Sequence, residues 1–295
     1  MRVIGLALDD DELDVQSFTI RPFIPAGAGE RAIRRQNDWI KRVKQRLLSL
    51  GRLLPLRGLM SMIRLLIAKM TRKEFVCLRV HGVTTPLFAR LNNSDLSVLY
   101  QVFGQMECDV GALAPALIID GGANVGYSSV YFALRYPSAK IVAMEPSADN
   151  CWLFRMNCVG FPNVQLIQGA IWSSRALLEI CDPDERGWMI QVRETAVRTP
   201  NTFEAYTIPD LIAMGGGRSV DILKLDIEGA EGKLFSSNDL VWLDQIQCLI
   251  IETHGGAIRS LVLDAMKERG YSCRASGEKL VFKRNQTGST SQVPA

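Results

Sequence analysis

Two clusters of residues in this 295-residue chain combine types and spacings that could do chemistry. The first is Ile118-Ile119-Asp120-Gly121-Gly122-Ala123-Asn124-Val125-Gly126, an apolar run entering a glycine turn ahead of helical spacing. Small residues there let the backbone approach a nucleotide-like ligand, and a first helical turn offers unpaired N–H groups. A second apolar run, Ile141 to Met144, ends in Glu145-Pro146. An acid about 25 residues beyond such a turn suits hydrogen bonding to both hydroxyls of a ribose. The second cluster is Lys224-Leu225-Asp226-Ile227-Glu228, whose charged residues alternate and so share one side of an extended chain. Asp226 is the leading candidate for the reacting site, with Glu228 beside it. Glu231, just beyond, reads as a partner for a helix N-terminus. His254 follows the next apolar run, in Glu252-Thr253-His254-Gly255-Gly256. It suits a general base, or a divalent metal ligand together with Asp226 and Glu252.

The ribose-type acid alone does not separate a dinucleotide from S-adenosylmethionine. Two features favour the latter. Ala123 replaces the second glycine of a Gly-x-Gly-x-x-Gly turn counted from Gly121. Asp120, just before the turn, suits a cationic amino group and sulfonium and would repel a pyrophosphate.

These residues need a sheet to bring them together, and from Pro115 onward short β-rich runs alternate with helical stretches, as in a mostly parallel sheet covered on both faces. The expected strands are Leu117 to Asp120, Lys140 to Glu145, Val164 to Gln168, Asp221 to Asp226 and Cys248 to Glu252. Tyr271 to Arg274 and Lys279 to Lys283 read as a terminal hairpin. In such α/β sheets ligands bind at the carboxyl ends of the strands, where both clusters fall.

Asp120-Gly-Gly-Ala-Asn-Val-Gly126, Glu145-Pro146, Gly169-Ala170, Asp221-Ile-Leu-Lys-Leu-Asp-Ile-Glu-Gly-Ala-Glu231 and Ile250-Ile-Glu252 together resemble the FkbM-type methyltransferases. The match covers roughly Ser94 to Lys283, and the Lys-x-Asp-x-Glu-Gly-x-Glu block is its most specific part. Leu91-Asn-Asn-Ser-Asp95 resembles the family's lead-in. The resemblance implies a Rossmann-like class I methyltransferase fold with a seven-stranded sheet. It implies O-methylation of hydroxyls on sugars, glycolipids or polyketide-type metabolites, with S-adenosylmethionine as cofactor. It also implies that Asp120, Gly121, Gly122, Ala123, Asn124 and Gly126 surround the methionine part, that Glu145 and Pro146 meet the ribose, and that Gly169, Ala170 and Ile171 line the adenine. An apolar Ala170-Ile171 pair at a strand end also makes a flat wall for a purine. A nicotinamide-dependent oxidoreductase on the same sheet, or a membrane-associated binding protein without turnover, are the competing readings.

Upstream, Arg31 to Lys73 holds thirteen Lys/Arg and one acid, Asp38, which leaves 21 basic against 30 acidic residues elsewhere. The catalytic part is therefore not expected to bind nucleic acid. Ala32 to Leu50 and Gly58 to Lys69 read as basic amphipathic helices that either cap the domain or touch a membrane surface. Arg57, Arg64 and Lys69 with Pro55 break any spanning run. The expected organisation is an irregular lead-in (1–30), a basic helical segment (31–93), the methyltransferase domain (94–284) and a disordered tail (285–295). The acidic start lacks a secretory leader, and seven cysteines without a C-x-x-C pair suit a reducing cytoplasm, with peripheral contact at the inner membrane face as the alternative. The stretch Cys181 to Ser219, around Trp188 and Met189, is expected to cover the acceptor.

Overall fold

Strand β3 (Leu117–Gly121) is buried at every position, as a continuous apolar run requires of a central parallel strand. It sits in the middle of the sheet in a computed structural model that describes residues 59–71, 73–180, 192–199, 201–217, 219–237 and 239–285. The expected helix from Ala32, the Trp188 region, the lead-in and the tail beyond Asn285 lie outside these residues. Internal contacts divide the chain at Leu54 and Pro55, and all described residues belong to the second unit.

Strands β4 (Lys140–Glu145) and β5 (Val164–Gln168) extend the sheet on one side of β3, and β10 (Val220–Leu225) and β11 (Ile246–Glu252) on the other, all parallel. The closing hairpin, β12 (Tyr271–Ser276) and β13 (Lys279–Arg284), completes the seven-stranded order β12-β13-β11-β10-β3-β4-β5. Strand β13 inserts antiparallel beside β11, so the last of the described strands is an interior one. Each expected strand is present, Lys140–Glu145 and Val164–Gln168 with the expected bounds and the others with ends shifted by at most two residues.

Helices cover both faces. One core layer gathers Val125, Val130, Phe132, Leu153 and Phe154 against Ile118, Ile141, Ile222 and Ile250. The other gathers Leu211, Leu234, Trp242 and Met266 against Ile119, Val142, Leu223 and Leu249. Alternation of side chains along each strand feeds the two layers. The helices begin where their caps dictate. Ser147 accepts from Asn150 N at the start of the helix Ala148–Asn157. Thr207 and Asp210 form a reciprocal capping box before Ile208–Gly215.

Two parts of the chain depart from expectation. Residues 75–90, assigned above to a helical segment, form an antiparallel hairpin of β1 (Phe75–Leu78) and β2 (Leu87–Arg90). Burial alternates along both strands, with Val76, Leu78, Leu87 and Ala89 inward, and this period of two outweighs the basic flank. Between β5 and β10, the expected cover is partly a second sheet, ordered β6 (Ala170–Ile171), β9 (Thr202–Tyr206), β7 (Leu177–Ile180) and β8 (Val192–Glu194).

Among the described cysteines, Cys108, Cys151, Cys158 and Cys248 are buried, and burial pushes the Cys108 thiol up to about 12. They pack as small hydrophobes. His81 is exposed beside the β1–β2 turn, away from the strand ends.

Candidate active site

The carboxyl ends of β3, β4, β10 and β11 open into a cavity of about 490 Å3, within the range of roughly 300–1,000 Å3 usual for small-molecule sites. The helix Asp95–Phe103 roofs it with Ser97, Val98, Gln101 and Val102, and Val192, Ile227 and Ala230 add apolar wall.

The glycine turn is pinched between two strand ends. Gly122 and Ala123 donate to the Met144 carbonyl, and Asp226 N donates to the Gly121 carbonyl. Gly122 has φ +70°, and the Asp226 carbonyl oxygen stands where a Cβ would go, so glycine is required on both counts. Asn124, at φ +49°, donates its N–H to Glu145 Oε2 at 2.8 Å, and its own buried Oδ1 has no protein partner.

Glu145 is buried at the cavity wall, and its Oε1 accepts from Ser147 N and Asn150 Nδ2, both at 3.0 Å. Three of roughly four acceptor positions on the carboxylate are therefore filled, leaving about one for a ligand hydroxyl rather than two. Burial raises its pKa, while the Ser147, Asn150 and Asn124 donors oppose the rise. Asn150 is itself gripped by Arg90, which forms a two-bonded pair with the buried Asp95 carboxylate. This chain from Asp95 through Arg90 and Asn150 to Glu145 ties the roof helix to the ribose-type acid, and only Glu145 was singled out from sequence.

Of the residues expected around a cofactor, Gly122, Ala123, Asn124, Glu145, Pro146, Gly169, Ala170 and Ile171 line the cavity. Asp120, Gly121 and Gly126 do not. Asp120 is fully buried; its Oδ2 accepts from Ser128 and Ser129 at 2.7 Å and its Oδ1 lies 3.1 Å from Lys224 Nζ. Its charge is spent on Lys224, which corrects the expectation that it repels a pyrophosphate or faces a sulfonium directly. Lys224 in turn donates to the carbonyls of Gly121 and Gly122, at 3.3 and 3.0 Å. Burial opposes charging of that ammonium, but Asp120 and Asp226 more than offset it and hold its pKa above the usual lysine value. Gly126 instead makes room for Phe154 and Cys158 at the start of the helix Tyr127–Arg135.

At the other end of the cavity stand Asp226, Glu228, Glu252, His254 and Lys279. Lys279 opens β13 opposite Glu252, and its Nζ reaches Asp226 Oδ2 at 2.9 Å and Glu252 Oε2 at 2.5 Å. Burial works against ionising Asp226, yet Lys279 and Lys224 win and depress its pKa. Glu228 leaves the strand at φ +51°, a conformation uncommon outside glycine that turns up at functional sites. Its Oε2 lies 3.3 Å from His254 Nε2. Burial, resisted by His254 and reinforced by Asp226, Glu252 and Glu231, pushes Glu228 up to about 7. Glu231, 3.4 Å from His254 Nδ1, is the largest cause raising His254 to about 9; burial opposes this, and Glu228 and Glu252 add to it. Glu231 also staples the loop, accepting from Ile227 N and Gly229 N, so its role is more than that of a helix-dipole partner.

For a divalent metal, the side chains within reach of one another differ from Asp226, Glu252 and His254 by one residue. One ligand atom from each of Asp226, Glu228 and His254 lies within 4.8 Å of the others, so Glu228 replaces Glu252 in the trio. Lys279 already pairs with Asp226, so a cation there would compete with its ammonium and, because a ligand imidazole must be neutral, would release the His254 proton.

A seven-stranded sheet with an inserted antiparallel hairpin, a pinched glycine turn and an acid at the end of the neighbouring strand define an S-adenosylmethionine-dependent methyltransferase of class I architecture. Residues 120–273, just over half of the chain, match the Methyltransferase FkbM domain, and the chain belongs to that family. It is 24% identical over 189 residues to the methyltransferase sdnD of Sordaria araneosa, an alignment covering 52% of this chain and 73% of that protein. Among solved structures, similarity is found to methyltransferase FkbM from Methylobacillus flagellatus KT (12% identity, 64% of this chain, 54% of that one, TM-score 0.39). It is also found to the O-methyltransferase from Bacillus cereus in complex with SAH (13% identity, 63% and 79%, TM-score 0.35). Family membership sets aside the oxidoreductase and non-catalytic readings.

The cofactor fits the residues present. The unpartnered Asn124 Oδ1, the remaining acceptor position of Glu145 and the apolar Ala170-Ile171 edge offer a polar, a ribose-directed and a flat apolar contact along one wall.

Proposed function

We propose that this methyltransferase acts on a hydroxyl oxygen of an uncharged, hydroxyl-rich acceptor, a saccharide, glycolipid or polyketide-type metabolite, and that Glu228 accepts the hydroxyl proton. When bound, S-adenosylmethionine supplies an electrophilic methyl group. An aliphatic hydroxyl attacks poorly at neutral pH unless a base takes its proton as the new bond forms. The observation that carries the reading is Glu228, at the cavity wall in a strained backbone conformation, with a carboxyl that titrates at about 7. Such a base is half ionised near neutrality, where general-base efficiency is greatest. Asp226 is too well stabilised as an anion by Lys279 to take a proton readily, and His254, charged to about pH 9, serves better as the cation that orients Glu228.

The acceptor's charge follows from the same wall. Glu145, Asp226, Glu228, Glu252 and Glu278 outnumber Lys224, Lys279 and His254, and both lysines are already paired. A phosphorylated acceptor or a nucleic-acid strand would meet net negative charge.

The test is methyl transfer by the full chain from isotopically labelled S-adenosylmethionine to matched panels of neutral polyhydroxyl metabolites and their phosphate esters, with the modified atom located by mass spectrometry. Label on oxygen of neutral acceptors is expected. Labelling confined to phosphorylated acceptors, or to nitrogen or carbon, would overturn the assignment.

A further inference from the structure

The first described helix, α1 (Leu59–Met70), is amphipathic the wrong way round for a cap. Its buried stripe is Ser61, Leu65 and Ala68, with Ser61 Oγ accepting from Arg79 N at 3.0 Å, so a narrow, partly polar edge docks on the domain. The larger apolar side chains point away: Ile63, Leu66, Ile67 and Met70 are exposed, Met70 to 83%. A helix that only closed a domain would turn that stripe inward.

The outward apolar surface continues beyond the helix. Ile67 and Phe75 border one shallow groove, and Phe75 packs edge-on against Trp152 at 5.8 Å, with Trp152 half exposed. Arg64, Lys69 and Lys73 are exposed around it, and acids are scarce: none occurs between Arg57 and Lys73. Aliphatic residues, a neighbouring amphipathic Trp and a lysine–arginine surround give this composite face the composition of a surface lying in a bilayer interface. Arg64, Lys69 and Lys73 supply the charge complement for anionic headgroups. No helix among the described residues is long and apolar enough to cross a membrane.

We propose that the face formed by α1, Phe75 and Trp152 is a docking surface for an anionic lipid bilayer, entered by Leu66, Ile67 and Met70 and steered by Arg64 and Lys69. The experiment is co-sedimentation of the full chain with phosphatidylcholine vesicles, with and without phosphatidylglycerol. Binding is expected only to the mixed vesicles, and it weakens as salt rises from about 0.1 M to about 1 M, where the screening length falls from about 10 to 3 Å. Leu66→Glu and Ile67→Glu should each reduce vesicle affinity by about tenfold or more, since each withdraws a large aliphatic side chain from the bilayer. Arg64→Gln with Lys69→Gln removes the steering charge and leaves the apolar face, so it should also weaken binding and flatten the salt response. S-adenosylmethionine affinity should stay at the wild-type value in all of them, which reports on folding. Equal binding to neutral vesicles, or wild-type binding by all these variants, would overturn the proposal. A dimer that Ile67→Glu disperses, with no vesicle binding by the wild type, would assign the face to a second copy of the chain and overturn it equally.

Discussion

The two ends of the cavity handle charge in opposite ways. Where β3 and β4 end, each buried carboxylate has its own complement of donors: Asp120 has Lys224, Ser128 and Ser129, and Glu145 has two backbone N–H groups and Asn150. Where β10 and β11 end and β13 begins, Asp226, Glu228, Glu231 and Glu252 share Lys279 and His254. The first arrangement fixes a backbone shape and binds. The second leaves Glu228 facing only His254 among the described residues, with neither a lysine nor a backbone donor of its own, and burial pushes it up to about 7. A buried charge that is fully paired contributes rigidity, whereas an underpaired one is available to move a proton.

The sharpest way to break this contrast is Glu228→Gln. It should lower kcat by about 10²–10⁴ while the cofactor still binds, as measured by single-turnover methyl transfer and calorimetry. The same change should stabilise the protein. The folded pKa of Glu228 is raised, to about 7, so its favourable contribution is complete below the unfolded value of 4.5 and is lost as pH rises through 7. Glutamine mimics the protonated form at every pH, so denaturant unfolding at pH 8 should show a gain of about 1–2 kcal/mol. A variant both inactive and less stable would mean that Glu228 is structural.

Next in size is Lys224→Met at the paired end. It strands the Asp120 carboxylate in the core and frees the Gly121 and Gly122 carbonyls, which should cost about 3–5 kcal/mol in urea unfolding. A loss below about 1 kcal/mol would show that the pair is not what holds the turn.

Glu145→Ala should weaken S-adenosylmethionine binding by about 1.5–3 kcal/mol in calorimetry, through the lost ligand hydrogen bond and the released Asn124 N–H. Unchanged affinity in a folded variant would remove the ribose assignment. The smallest expected effect is that of a chelator. With Lys279 bridging Asp226 and Glu252, treatment with EDTA should leave kcat within about twofold, and silencing by chelation would restore the metal to the site.

Much of the fold was legible because β3, β4, β5, β10 and β11 announce themselves as apolar runs, and because the glycine turn has a local signature. Asp120 is more instructive: its place is legible but its job is not, since only the parallel register of β3 and β10 sets Lys224 directly opposite to neutralise it. Lys279 was missed altogether. The terminal hairpin was expected, but local pattern does not say which of its strands lies inside the sheet. Only the register pairing Glu252 with Lys279 brings the lysine to a residue 53 positions away, Asp226. Asn150 and Arg90 were hidden for the same reason, because helix and hairpin meet only through tertiary packing. The outward face of α1 was partly visible as a stripe, yet which side of an amphipathic helix is buried depends on its neighbours, here Arg79 and the β1–β2 hairpin.

The most direct test of the division between a binding end and a proton-moving end is the pH profile of kcat for the wild type and Glu228→Gln on the same hydroxyl acceptor. A base must be deprotonated to act, so the wild-type rate should climb tenfold per pH unit below about 7 and level off above it, with His254 still charged across the plateau to about 9. The variant should show a low rate with no limb near 7. A limb of the same midpoint in Glu228→Gln, or a wild-type rate that falls as pH rises through 7, would contradict the account.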